Sequence, residues 1–155
     1  MIKKEEIKGA IISDCSKYRY QLWRNWDENK PNVMFIMLNP STADSETNDP
    51  TIRRCIGFAK SWGYGGIYVG NLYAYRATDR SELKNVENPI GDDNIKHIKE
   101  MQPKCEIIVC AWGNHEGRPE HIFSNFSNLH YIKLNVDSTP AHPLYLSGEL
   151  KPKTF

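Results

Sequence analysis

Unbroken apolar runs alternate with helix-spaced segments through most of this chain. Val33-Met34-Phe35-Ile36-Met37-Leu38 holds no polar residue and is entered through Pro31-Asn32, which predicts a central strand buried on both faces. It breaks at Asn39-Pro40. Asn48 or Asp49 can then cap a helix with Pro50 in its first turn, and Ile52, Ile56, Phe58 and Ala59 carry that helix to about Trp62, before Gly63-Tyr64-Gly65-Gly66 ends it. Ile67 to Leu72 predicts a second buried strand, Pro89 to Met101 a helix with Ile90, Ile95, Ile98 and Met101 inward, and Glu106 to Ala111 a third strand. A helix around Pro119 to Phe126 and a strand over Leu129 to Leu134 complete an alternation that argues for a parallel, layered sheet. Ahead of it, Gly9 to Ser13 and Tyr18 to Trp23 flank Asp14-Cys15-Ser16-Lys17 and predict an opening antiparallel hairpin.

Length and charge narrow the picture. A chain of 155 residues suits one domain over 1–155, and neither repeats nor a Ser/Gly/Pro-rich linker divides it. Lys plus Arg number 20 against 19 Asp plus Glu, so no overall field draws the chain to nucleic acid or membrane, and a polyanion would need a local patch. The start, Met1-Ile2-Lys3-Lys4-Glu5-Glu6, lacks the apolar core of a signal peptide, and no run approaches the roughly 18 apolar residues of a membrane span. A cytoplasmic protein is expected. Cys15, Cys55, Cys105 and Cys110 form no CxxC, which favours buried free thiols over disulfides or zinc ligands. His97, His115, His121 and His130 lack metal-site spacing, so neither metal nor cofactor is expected.

In a parallel sheet, ligands bind beyond the carboxyl ends of the strands, and there the unusual polar residues gather. In Leu38-Asn39-Pro40-Ser41-Thr42-Ala43-Asp44, Pro40 removes a backbone donor and holds Asn39 extended over the strand end. The Asn39 amide can bind a water or a base edge, and Asp44 or Asp49 can take a proton; the plainer reading is a turn followed by a helix cap. Asn71 ends the next strand, with Tyr73, Tyr75 and Arg76 beyond it. Asn can contact a base edge at two points, Tyr can stack and Arg can meet a phosphate, although such aromatics also serve as plain packing. Trp112-Gly113-Asn114 follows the third strand, where Gly113 permits close approach and Trp112 suits packing. Last comes His142-Pro143-Leu144-Tyr145-Leu146-Ser147, a proline-held loop with a histidine and exposed apolar side chains that a partner should cover. Arg118, Lys151 and Lys153 read as solvated charges.

The order and content of these segments resemble the uracil-DNA glycosylase superfamily. Asn39-Pro40 is similar to the water-activating loop of its mismatch-specific uracil/thymine branch, where uracil-specific enzymes carry Asp-Pro. Tyr68-Val69-Gly70-Asn71 resembles the strand whose Asn reads the flipped base, and Ala111-Trp112-Gly113-Asn114 a Leu-Trp-Gly strand end. His142 to Ser147 resembles the family's His-Pro-Ser-Pro-Leu-Ser motif, with Leu144-Tyr145 replacing Ser-Pro. The likeness places His142 at the catalytic histidine, Leu146 at the wedge into the base stack and Ser147 at a phosphate contact. The whole chain also resembles the bacterial and phage DUF1643 family, whose hallmark is Leu-Asn-Pro-Ser-Thr-Ala-Asp.

The resemblance implies a three-layer α/β/α sandwich with a four-stranded, mostly parallel, glycosylase-like sheet plus the short hairpin. It implies a DNA glycosylase-like hydrolase that flips a base and cleaves its N-glycosidic bond. In that reading Asn39 positions the water, Asp44 supplements its basicity, and His142 donates to the base oxygen where charge develops. Asn71, Ser41, Tyr73 and Trp112 would hold the base, while Leu146, Ser147 and Arg76 would contact DNA. Ser41 stands where the uracil-specific branch has a bulky tyrosine, so a 5-substituted or otherwise modified base is expected. The expected partner is DNA or a nucleotide, met by a monomer. Two alternatives stand: a non-catalytic nucleobase- or nucleotide-binding module, favoured by Asn at position 39, and a hydrolase of a small nucleotide-like metabolite.

Overall fold

The apolar run at 33–38 becomes the middle of a sheet. The computed structural model of the chain describes residues 6–114 and 116–155, so the charged start Met1 to Glu5 and His115 lie outside the described residues. The strands are β1 (Ile7–Ile12), β2 (Arg19–Asn25), β3 (Asn32–Met37), β4 (Gly66–Asn71), β5 (Cys105–Cys110), β6 (Leu129–Tyr131) and β7 (Lys153–Thr154). The helices are α1 (Pro50–Ser61), α2 (Asn94–Met101) and α3 (Glu120–Phe123). The sheet order is β1-β2-β4-β3-β5-β6-β7.

Within it β4, β3, β5 and β6 pair in parallel, whereas β1 with β2, β2 with β4, and β6 with β7 pair antiparallel. This corrects the expected four-stranded, mostly parallel sheet to a seven-stranded mixed one. The opening hairpin does form, but it joins the sheet through β2 instead of standing apart. β7 is two charged or polar residues long, too short for any periodicity to reveal.

Because successive strand residues face opposite sides, one continuous apolar run serves two cores. Val33, Phe35 and Met37 pack with Ile52, Cys55, Phe58 and Ala59 of α1. Met34 and Ile36 pack with Ile98 and Met101 of α2 and Ile122 of α3 on the other face. Asp49 caps α1 by accepting the Ile52 N–H, and Pro50 occupies the first turn, where its missing donor costs nothing.

Three expected elements shrink. The helix anticipated from Pro89 begins only at Asn94, because Gly91 adopts φ +87° and the Pro89 and Ile90 carbonyls accept from Tyr75 and Ala74. α3 keeps four residues, and β6 stops at Tyr131, with Leu134 retained as an isolated bridge to Pro140. The four cysteines are free thiols, but only Cys55 and Cys110 are buried as expected; Cys105 is half-buried and Cys15 is exposed at the hairpin turn. No helix among the described residues is long and apolar enough to cross a membrane.

Candidate functional site

Parallel pairing delivers the carboxyl ends of β3, β4 and β5 to one edge. Beyond them the backbones stay joined: Leu72 N–H donates to Met37 O, Tyr73 N–H to Leu38 O, and Ala77 N–H to Pro40 O. β2 runs antiparallel to β4, so its first residue, Arg19, arrives at that same edge. Gly113, at φ +86°, turns the chain so that its N–H reaches Pro140 O at 2.8 Å, and a Cβ there would stand 3.8 Å from His142 Cβ. The 140–142 segment thereby closes the edge. Between these ends lies a cavity of about 760 Å³, lined by Arg19, Asn39, Ser41, Asp49, Asn71, Trp112, Gly113, His142 and Leu144 among others. Its size suits a nucleoside-sized ligand.

The Asn39 amide nitrogen is committed to structure, donating to Pro40 O at 3.0 Å and Ala77 O at 2.8 Å. Its carbonyl oxygen is the group left to accept. Asn71 is 2 % exposed; its backbone carbonyl accepts from the buried Asn94 amide, its side-chain oxygen lies 3.4 Å from Arg19 Nη2, and its Nδ2 finds no partner among the described residues. Arg19, also 2 % exposed, donates from Nη1 to Ala43 O at 3.1 Å, while its Nε has no partner. Burial pulls the guanidinium down to about 10, and Asp49 opposes that shift. Arg19 therefore remains charged at neutral pH.

Arg54 of α1 holds the histidine loop, donating to the carbonyls of Pro143 and Leu146. Within the loop, His142 Nδ1 accepts the Leu144 N–H at 3.2 Å. An accepting Nδ1 requires a lone pair there, so in the neutral ring the proton sits on Nε2. Burial lowers the His142 pKa below its usual value and Asp49 pulls it partly back, which leaves a neutral Nε2–H donor at pH 7. Asp49 holds the Ile52 N–H with one carboxylate oxygen and lines the cavity.

Of the residues read from sequence, Asn39, Ser41, Asn71, Trp112 and His142 meet in this cavity. Trp112 is also structural, donating from Nε1 to Gly117 O and packing edge-on against Phe123. Asp49, Gly113, Asn114 and Leu144 line it too, whereas Asp44, Tyr73, Arg76, Leu146 and Ser147 do not join them. Asp44 turns its carboxylate to the Glu46 and Thr47 N–H groups, which hold its pKa below the usual carboxylate range. Tyr73 donates to Glu116 at 2.6 Å and faces a neighbouring cavity; burial, and then that bond, raise its pKa to about 12. Arg76 donates to Ser16 O on the surface. Leu146 packs against the α1 core, and Ser147 Oγ accepts the Glu149 N–H. Among the described residues, no three His, Cys, Asp or Glu side chains group as a metal site requires.

A family model described as "Protein of unknown function (DUF1643)" matches residues 19–144. The chain belongs to the DUF1643 family. The DUF1643 stretch opens on Arg19 and closes on Leu144, the first and last residues of the cavity lining, so the cavity falls wholly within it. No curated protein and no solved structure matches the chain. What sequence reasoning missed in this DUF1643 protein is Arg19. Its one signal was a charged residue set between Tyr18 and Tyr20 in a strand that needed charge on neither face.

Proposed function

We propose that this protein is a glycosylase-like hydrolase that cleaves the N-glycosidic bond of a base held in the 760 Å³ cavity. The reading is carried by one observation: Asn39, Asp49, Asn71 and His142, drawn from four separate segments, line a single cavity. As the glycosidic bond breaks, its electron pair moves onto the base. The neutral His142 Nε2–H stabilises the oxygen where that charge accumulates, because a fixed donor in a buried site needs no reorganisation. Water attacks the anomeric carbon while the Asn39 carbonyl oxygen accepts one of its hydrogen bonds. The proton passes to Asp49, which replaces Asp44 in this role because the Asp44 carboxylate is spent on its own turn.

Ser41 leaves room beside the base for a substituent, and Asn71 reads its edge. Next in the chain to the cavity-lining Leu144, Tyr145 is 90 % exposed while Leu146 is packed inward, so Tyr145 takes the place of a wedge against flanking bases in DNA. Abasic-site formation on oligonucleotides bearing uracil, thymine mismatches or 5-modified pyrimidines tests this. His142→Ala should slow it about 10²- to 10³-fold. Undiminished turnover in that variant sinks the assignment. A nucleobase-binding module is the second reading, favoured by the structural use of the Asn39 amide nitrogen; nucleoside binding without turnover, lost in Asn71→Ala, would establish it.

A further inference from the structure

The floor of the cavity carries a charge that no ion pair meets, although the Asp49 carboxylate on the same wall acts on it from farther off. Arg19 is buried, yet the ion pairs among the described residues join Lys30 to Asp27 and His97 to Glu100, and none reaches Arg19. Its strongest identified bond goes to a neutral carbonyl, Ala43 O, and the contact to the Asn71 oxygen is long. Two N–H donors remain unpaired on these two neighbouring side chains, Arg19 Nε and Asn71 Nδ2. Buried donors without partners are destabilising, and a buried cation without a counter-ion more so. A protein that only needed to close this strand end would do better with an apolar residue at position 19. Guanidinium presents its donors as a fork that matches two oxygens of one oxyanion, and the adjacent amide adds a third donor.

We propose that Arg19 and Asn71 form an oxyanion subsite at the cavity floor, which takes a carboxylate or phosphate group borne by the ligand as the direct partner that these donors lack. This rests on the cavity being the ligand site but not on bond cleavage. It narrows the ligand from any base-sized molecule to one whose inner end is an oxyanion. Arg19 ties the Ala43 end of the Ser41 loop to Asn71, and all but Ala43 of these line the cavity.

The experiment is a calorimetric titration of the full chain with matched charged and neutral probes. One pair is 5-carboxyuracil and its neutral carboxamide; the other is uridine 5′-monophosphate and uridine, with acetate and inorganic phosphate as free ions. One charged member should bind about tenfold or more tighter than its neutral partner. Which pair shows the gap identifies whether the oxyanion is carried on the base or on the sugar, and tighter binding of the free ions than of either conjugate would overturn the subsite as part of a larger ligand site. Arg19→Gln should abolish the gap, whereas Arg53→Gln, an exposed charge outside the cavity, should leave it. If Arg19→Gln does not fold, Arg19→Lys keeps the charge without the fork and should shrink the gap. Equal affinity for charged and neutral members, or a gap that survives in folded Arg19 variants, overturns the proposal. Oxyanion binding without abasic-site formation would refute the hydrolase while leaving this subsite standing; base release from neutral substrates with no charged preference would do the reverse.

Discussion

Two buried arginines on β2 stand five residues apart and live in opposite circumstances. Arg24 is fully enclosed, and every nitrogen of its guanidinium has a partner: Asn48 Oδ1, and the carbonyls of Gly9, Trp23, Asp44 and Thr47. It ties the loop before α1 to the hairpin. Arg19 is equally buried but has one good bond, one long one and an idle Nε. The same side chain in the same strand therefore does two jobs. Where the surrounding carbonyls converge, burial of the charge is answered from within; at the cavity edge it is left for a ligand to answer.

Removing the two residues should separate these roles. Arg24→Leu strips the partners from several buried carbonyls and should cost about 3–5 kcal/mol of unfolding free energy, read by urea denaturation. Arg19→Leu should cost less than about 1 kcal/mol, or stabilise, while ligand binding is lost; a loss equal to that of Arg24→Leu would erase the contrast. Asp49→Ala should lower stability by about 1 kcal/mol through the lost α1 cap and also lower turnover, whereas Asp44→Ala should leave turnover near wild type.

The smallest effect concerns pH. The folded pKa of His142 lies below its ordinary 6.5, so the unfolded chain binds the proton more readily. Its contribution to stability is present above about pH 6.5 and is lost as pH falls from there toward the folded value. Thermal melts of wild type and His142→Gln should accordingly converge on acidification, and parallel curves would contradict a buried neutral imidazole.

Much of the fold was legible in short stretches. The uninterrupted run at 33–38 and the Asp49-Pro50 start of α1 depend on local rules of burial and capping, and both appear where those rules put them. The helix expected at Pro89 failed because the carbonyls there serve Ala74 and Tyr75, a long-range demand that no local period reveals. The site divides in the same way. Asn39, Asn71 and Trp112 stood out as polar or aromatic residues at strand ends and His142 as the histidine of a proline-held loop, and all line the cavity. Asp44 looked equal to Asp49 in sequence, yet Arg24 holds its loop by the Asp44 and Thr47 carbonyls while its carboxylate closes the turn.

By itself, then, the sequence determined the first five strands, the cap of the first helix and the set of polar strand ends, since each follows from periodicity, backbone geometry or a side chain reaching a few residues away. Only the tertiary structure decided that β2 joins β4 in antiparallel sense, which carries Arg19 to the mouth of the parallel strands. Strand pairing is set by surfaces far apart in the chain, and whether a buried charge is answered depends on groups that only the assembled fold brings near.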